Sequence, residues 1–171
     1  AAAFADESLE SPARLELARL AISACRGIER VVLDAAIASV RLERVDVGAL
    51  VRQVAAAASL VGTRVEPSVA ADLPRITADP LRLRQALDNL VANALTHAGS
   101  DGEVSVSATS SGTYVLLSVS DSGSGVPLTE QERIFEAGVR LDSDRAGSGL
   151  GLAIARAIAE AHGGKLTLTS I

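Results

Sequence analysis

The chain of 171 residues contains no methionine and no tryptophan, and only 2% of it is aromatic. A core made without large rings must be packed from leucine, valine, isoleucine and alanine, and a hydrophobic share of 48% supplies them. The single cysteine, Cys25, excludes an internal disulfide and suits a reducing compartment. It falls within a helical pattern and reads as packed rather than reactive. With two histidines lacking ligand spacing and no serine in a strand-turn-helix elbow, neither a metal hydrolase nor a Ser-His-Asp enzyme has support. A net charge of -5 offers no basic face, so no nucleic acid is expected as a partner. Apolar runs such as Val54 to Val61 fall well short of the roughly 18 residues that a membrane span requires. No signal-peptide pattern is present either. Because position 1 is alanine, the expectation is a piece of a longer protein.

What is there begins with a seam. From Arg14 to Leu42, apolar residues at Leu17, Leu20, Ala24, Ile28, Val31, Ala35, Ala38 and Leu42 recur in steps of three and four, which predicts a long helix seeking a partner helix. Asp46 is placed to cap a second helix from Val47 to about Leu60, with Gly62 to end it. Thr63 to Val69 and Arg75 to Ala78 read as strands. Asp79-Pro80 then supplies an N-cap and a proline at the first helical position, starting a helix that runs to about His97 and stops at Gly99. Glu103 to Thr109 and Thr113 to Ser120 form a predicted hairpin, with Asp121 at the end of its second strand. A short helix capped by Thr129 follows through Phe135. Residues 138 to 148 show no apolar period and read as a mobile loop. Leu150 to Ala161 is a predicted helix ended by His162-Gly163-Gly164, and Lys165 to Ile171 a final strand. His162 reads as a helix C-terminal residue favoured by the dipole.

Three stretches carry candidate chemistry. On the 80 to 97 helix, Asn89, Asn93 and His97 are spaced four apart and share one stripe. Asparagine is a poor helix former, so two on one stripe invite a functional reading, and an amide oxygen is a hard ligand suited to Mg²⁺; a wet helix face is the plainer alternative. Asp121 at a strand end can accept a hydrogen bond from an exocyclic amine, and Gly123 and Gly125 clear space for a flat base, although Asp and Gly are also ordinary turn residues. Gly147, Ser148, Gly149, Leu150 and Gly151 precede and open a helix, where free amides and the positive end of the dipole suit phosphate. Arg140 and Arg145 stand in the loop before it, able to pair with phosphate or simply to be solvated.

The order of these stretches resembles the ATP-binding domain shared by sensor histidine kinases, Hsp90, DNA gyrase B and MutL, with the sensor histidine kinases of bacterial two-component systems as the nearest fit. The resemblance covers about Val45 to Ile171. It implies an α+β fold: a two-layer α/β sandwich with a mixed sheet backing helices, preceded by a long helix from a dimerisation hairpin. Residues 1–44 would be the remnant of that dimerisation and phosphoacceptor hairpin, and residues 45–171 the ATP-binding catalytic domain, lacking its last strand.

By the same resemblance the ligands are ATP and Mg²⁺. Asn93 stands as the Mg²⁺-binding asparagine with Asn89 as its companion, and His97 lies near the phosphates. Asp121 matches the adenine-reading aspartate, with Gly123 and Gly125 beside the base. Phe135 belongs to the F box, Arg140 is the lid-side arginine, and Gly147, Ser148, Gly149, Leu150 and Gly151 form the second glycine box. The Hsp90-like and gyrase-like relatives place a water-activating glutamate where this chain has Asn89, which cannot act as a base, so transfer to another acceptor is favoured over hydrolysis. The expected function is transfer of the γ-phosphate to a histidine in the whole protein. The implied partners are a phosphoacceptor helix of the same or a second subunit, a response regulator, and a second copy of the chain through the N-terminal helix. The implied setting is a cytoplasmic domain of a membrane-anchored parent.

Departures from the pattern are also legible. Neither histidine precedes an acidic residue, so the acceptor is expected outside this piece. Thr96 stands where a lysine or arginine commonly helps hold phosphate, and Gly138 where the F box often has a second aromatic. These two support an alternative, an ATP-binding regulatory scaffold with weak or no kinase output. A serine kinase of the anti-sigma type shares the ATP fold, but the long preceding helix argues against it.

Overall fold

The computed structural model describes residues 16, 17, 31, 40–60, 64–99, 102–140 and 148–170. Most of the predicted seam from 14 to 42 lies outside these residues, as do Gly62, Arg145 and Gly147. Within it Glu16, Leu17 and Val31 are helical, while 40–42 are not.

Two aspartates fix where the first helices begin. Asp46, in extended backbone, accepts the Ala49 amide at 2.9 Å and starts α1, Val47–Ser59. Asp79, also extended, accepts the amides of Leu81 and Arg82 at 3.0 Å each and starts α2, Pro80–Ala98, with Pro80 in the first turn where its missing N–H costs nothing. Gly99, at φ +77, follows the last turn.

The strands are β1 Glu43–Val45, β2 Val65–Val69, β3 Ile76–Ala78, β4 Val104–Ser111 and β5 Tyr114–Asp121. β1 pairs antiparallel with β3, Val45 opposite Ile76. β2 runs parallel to β4, Val65 opposite Val104, and β4 antiparallel to β5, Val104 opposite Asp121. The sheet β2-β4-β5 is therefore mixed, as expected, with α2 in the crossover between its parallel strands. The β4-β5 hairpin closes through Gly112 and Thr113, with Gly112 at φ +60, the sign a primed turn demands of its first residue.

Alternation along β4 puts Val104, Val106 and Ala108 into the core, where they meet Leu83, Leu87, Val91 and Ala94 of α2 and Val47, Leu50, Val51 and Val54 of α1. Each fully buried leucine or valine contributes about 1.5–3 kcal/mol. Beside α2 lies α3, Gly151–Ala161, whose Ile154 and Ile158 pack on Ala86 of α2.

Three expectations change. Glu43–Val45, which lies outside every predicted helix and strand, is a strand; only Val45 of the three is buried, too little for alternation to show. The Thr129-capped helix is instead a turn over 128–132 and a 3-10 helix at Arg133–Phe135, because Ile134 alone is buried and so short a segment has no apolar face to hold a full helix. The final strand is absent: at 165–170 Leu166 and Leu168 are half-buried and Lys165 and Thr167 exposed, so the alternation is real, but no strand among the described residues pairs with it. A side-chain period of two sets facing; a strand also needs a ladder partner.

Candidate functional site

Along α2 the core residues Leu83, Leu87, Val91 and Ala94 take one face, and the stripe Ala86, Asn89, Asn93 is left for α3. Ala86 meets Ile154 and Ile158. One turn further, Asn89 meets the first residue of α3: a Cβ built on Gly151 would lie 3.7 Å from the Asn89 Cβ and 3.9 Å from its Oδ1. The Asn89 Nδ2 is buried and has no hydrogen-bond partner. A buried donor left unmade costs about 1–3 kcal/mol, which an acceptor supplied from outside would return. Asn93, the next residue of the stripe, is half-buried.

The start of α3 is equally unfinished. No side chain caps it, the Ser148 hydroxyl accepts only from the Leu150 amide at 3.3 Å, and no acidic residue stands in its first turn. Its leading amides and dipole are open to an anion. Gly149 is held from behind: at φ +72 its carbonyl accepts the Gly138 amide at 3.1 Å, and a Cβ there would come within 2.9 Å of Gly138 C and Val139 O. The departure noted at Gly138 thus has a structural counterpart, since Gly138, at φ +78, lets the two backbones touch.

Asp121 is exposed at the end of β5 and its Oδ1 accepts the Gly123 amide at 2.9 Å, closing an Asx turn. Gly123 lies against the last turns of α2, where a Cβ would be 2.9 Å from the carbonyl oxygen of His97. Close backbone packing, rather than clearance for a base alone, requires glycine here. The Asp121 loop is thereby seated on the same helix that carries Asn89, Asn93 and His97, and Gly125 at φ +74 turns the chain away.

Other candidates fall elsewhere. Phe135 is half-buried with the Arg156 guanidinium 5.7 Å from its ring centroid, a cation-π contact. It lines a cavity of about 440 Å³ with Gln131, Glu132, Arg156, Glu160 and the 164–168 segment, where no other candidate residue appears. Arg140 lines a separate cleft of about 370 Å³ with Pro127, Glu130, Arg133 and Val139. Among the described residues no three His, Cys, Asp or Glu side chains converge as a metal site. No described helix is long and apolar enough to cross a membrane.

Two residues gain a role that the sequence did not convey. Asp79, 5% exposed, accepts not only its helix amides but the Arg41 amide at 2.8 Å, a bond across 38 residues with no local signal. That bond, more than the Arg82 and Leu81 amides or the Arg82 charge, holds its carboxyl below the usual carboxylate range against the opposing effect of burial. His162 is bound at both ring nitrogens: Nδ1 is 2.7 Å from the Ile158 carbonyl oxygen and Nε2 2.9 Å from the Asp79 amide nitrogen. The carbonyl requires a donor and the amide an acceptor, so Nδ1 donates and Nε2 accepts, and the helix C-terminal position expected from sequence is also a tie to the start of α2.

Comparison with known proteins places this geometry. Residues 78–171 match the family of histidine kinase-, DNA gyrase B-, and HSP90-like ATPases. The alginate biosynthesis sensor protein KinB of Pseudomonas aeruginosa is 38% identical over 99 residues, covering 58% of this chain and 17% of KinB. The adaptive-response sensory kinase SasA of Synechococcus sp. (strain CC9902) is 43% identical over 110 residues, 62% of this chain and 29% of SasA. The chain thus spans less than a third of either relative. Among solved structures, full-length ShkA in complex with AMPPNP superposes with a TM-score of 0.66 at 32% identity, over 96% of this chain and 38% of ShkA. The ATP binding domain of PrrB from Mycobacterium tuberculosis gives 0.61 at 32% identity, over 75% and 86%. The fold is that of these catalytic domains, and the chain belongs to the histidine kinase-, DNA gyrase B-, and HSP90-like ATPase family.

Proposed function

We propose that this domain binds Mg-ATP and, in the complete protein, presents the γ-phosphate to a histidine, from which it would pass to an aspartate of a response regulator. The observation that carries the reading is the Asn89 amide nitrogen, buried without a partner beside the uncapped first turn of α3. A donor lacking an acceptor, opposite helix amides lacking an anion, fits a phosphate chain between them.

In this reading Asn89 and the amides of Gly149, Leu150 and Gly151, with Gly147 and Ser148 before them, hold phosphate oxygens. The amide oxygen of Asn93 is the chain's metal ligand, consistent with a Mg²⁺ completed by phosphates and water rather than by a carboxylate cluster. Bound Mg²⁺ would offset charge on the phosphates. Asp121 accepts the adenine amine while its Oδ1 keeps the loop closed; Gly123 and Gly125 shape the base pocket, His97 borders the phosphates, and Arg140 stands on the lid side. Phe135 supports the lid side through Arg156.

Asn89 in place of a carboxylate removes the base that would activate water, which favours transfer to a separate acceptor. There the acceptor imidazole nitrogen bonds to the γ-phosphorus as its bond to the ADP oxygen breaks. Positioning and charge neutralisation carry such a step. The acceptor helix, in the same or a second subunit, the regulator, pairing of two copies through residues 1–44 and a membrane anchor in the parent belong to the same proposal, as does the division at residue 45.

A second reading, an ATP-binding scaffold with weak kinase output, has its own support. The Thr96 hydroxyl donates to its own helix at Ala92 O, 2.8 Å away, instead of supplying the positive charge common at that place. Calorimetric titration with ATP, with and without Mg²⁺ and with GTP as control, tests the site. ATP over GTP with Mg²⁺ enhancement supports it, whereas no binding at millimolar ATP refutes it. Histidine labelling by the complete protein then separates kinase from scaffold.

A further inference from the structure

Helices α2 and α3 lie side by side in opposite directions. Gly151, at the start of α3, rests on Asn89 midway along α2, whereas His162, just past the end of α3, reaches the amide of Asp79 at the start of α2. The two spans agree: ten residues from Asp79 to Asn89 are about 15 Å of helix, and eleven from Gly151 to His162 about 16.5 Å.

The apolar contacts between these ends do not by themselves fix the registration. The apolar part of the interface is Ala86 against Ile154 and Ile158, with Leu150 beside them, a small side chain among aliphatic ones. Apolar contact is non-directional and tolerates sliding. A hydrogen bond does not, because its strength falls steeply with distance and angle. The His162 Nε2 acceptor makes such a directional contact between the two helices, and its ring is fixed in turn by Nδ1 on the Ile158 carbonyl. The Asp79 amide that it receives is itself fixed, since the Asp79 side chain is held by three backbone amides, those of Arg41, Leu81 and Arg82.

We propose that His162 is a positioning residue: its bond to the Asp79 amide sets where α3 sits along α2, and so holds the Gly149-to-Gly151 turn opposite the Asn89 amide. His162 touches neither nucleotide nor metal; it acts through the helix it terminates. The consequence for ATP rests on the nucleotide reading above, but the placement of Gly151 does not.

The test compares two near-isosteric substitutions in the 171-residue chain. His162→Asn keeps a donor near Ile158 O but falls short of Asp79; His162→Gln carries an acceptor to about the reach of Nε2. The first readout is the amide NMR resonance of Gly151 without nucleotide, and the second is affinity for Mg-ATP by calorimetry. His162→Asn is expected to move the Gly151 resonance and weaken ATP binding about five-fold, the scale of one net hydrogen bond. His162→Gln is expected to restore both.

A Gly151 resonance unchanged in His162→Asn, with only Asp79 and its neighbours moved, would reduce His162 to a local clamp and overturn the proposal. Should His162→Asn not fold, His162→Gln decides alone, because a folded Gln variant with a displaced Gly151 resonance would overturn it as well. A Gly151 shift that follows the prediction in a protein that binds no ATP would uphold the positioning role and sink the nucleotide reading.

Discussion

Gly151 and Asn89 face each other across two helices with room for a Cβ: the nearest Asn89 atom would be 3.7 Å from that carbon. Gly149, two residues earlier, has no such room, with Gly138 C and Val139 O at 2.9 Å and φ at +72. The two glycines of one motif are therefore glycine for different reasons.

Gly151→Ala should leave the fold intact, with a thermal midpoint within about 2 °C of the native value, since alanine suits a helix start sterically and adds ordinary contact. It should weaken Mg-ATP binding about ten-fold or more, because the methyl group occupies the space assigned to phosphate. Gly149→Ala should do the reverse in order of cause, costing about 1–3 kcal/mol through strain before any ligand is added. Paired melting and titration curves distinguish the two. Equal affinity in Gly151→Ala would move the phosphates elsewhere.

Asn89→Leu should raise the stability of the ligand-free protein while abolishing ATP binding. The substitution removes a buried donor that has no partner, worth about 1 kcal/mol or more and therefore about 2–4 °C in a domain of this size. Loss of stability on removing the amide would mean that Asn89 is satisfied in solution without nucleotide, which melting curves in the absence of ligand would reveal.

Asp121→Asn should keep the loop and lose the base. The amide oxygen can still accept from Gly123, as Oδ1 does at 2.9 Å, so the melting curve should hardly move. The other half of the group becomes a donor facing an exocyclic amine, and affinity for ATP should fall about ten-fold or more with discrimination against GTP reduced. Titrations with both nucleotides read this directly.

Asp79 sets an acid limit on the fold. Its carboxyl is held below the ordinary range, first by the Arg41 amide, so the folded state binds the proton less readily than the unfolded chain. The stabilisation is therefore fully present above about pH 4, the unfolded value, and is lost as pH falls through the lower folded value. Asp79→Ala should cost about 1–3 kcal/mol at pH 7 and should flatten the fall in stability below pH 4. Denaturant titrations at pH 7 and pH 3 check both parts. An unchanged acid slope would assign that slope to other carboxylates.

The helices were legible because their signals are local. Asp46 and Asp79-Pro80 announce their starts, and the apolar steps along 80 to 97 separate a core face from the stripe of Asn89, Asn93 and His97. The three motifs, with their order and spacing, were enough to predict a mixed sheet behind helices and one site among them. Strand Glu43–Val45 was not legible, because three residues with one buried side chain carry no period, and the tail at 165–170 was over-read, because alternation cannot reveal whether a partner strand exists. The sequence by itself determined the helix starts, the core face of the 80 to 97 helix and the order of the three motifs, whose resemblance to a known ATP-binding domain supplied the expected ligand. Only tertiary structure decided why Gly123 must be glycine against His97, that Asn89 is left without a partner, and that His162 accepts from the Asp79 amide, since each depends on atoms far apart in sequence whose meeting no local pattern encodes.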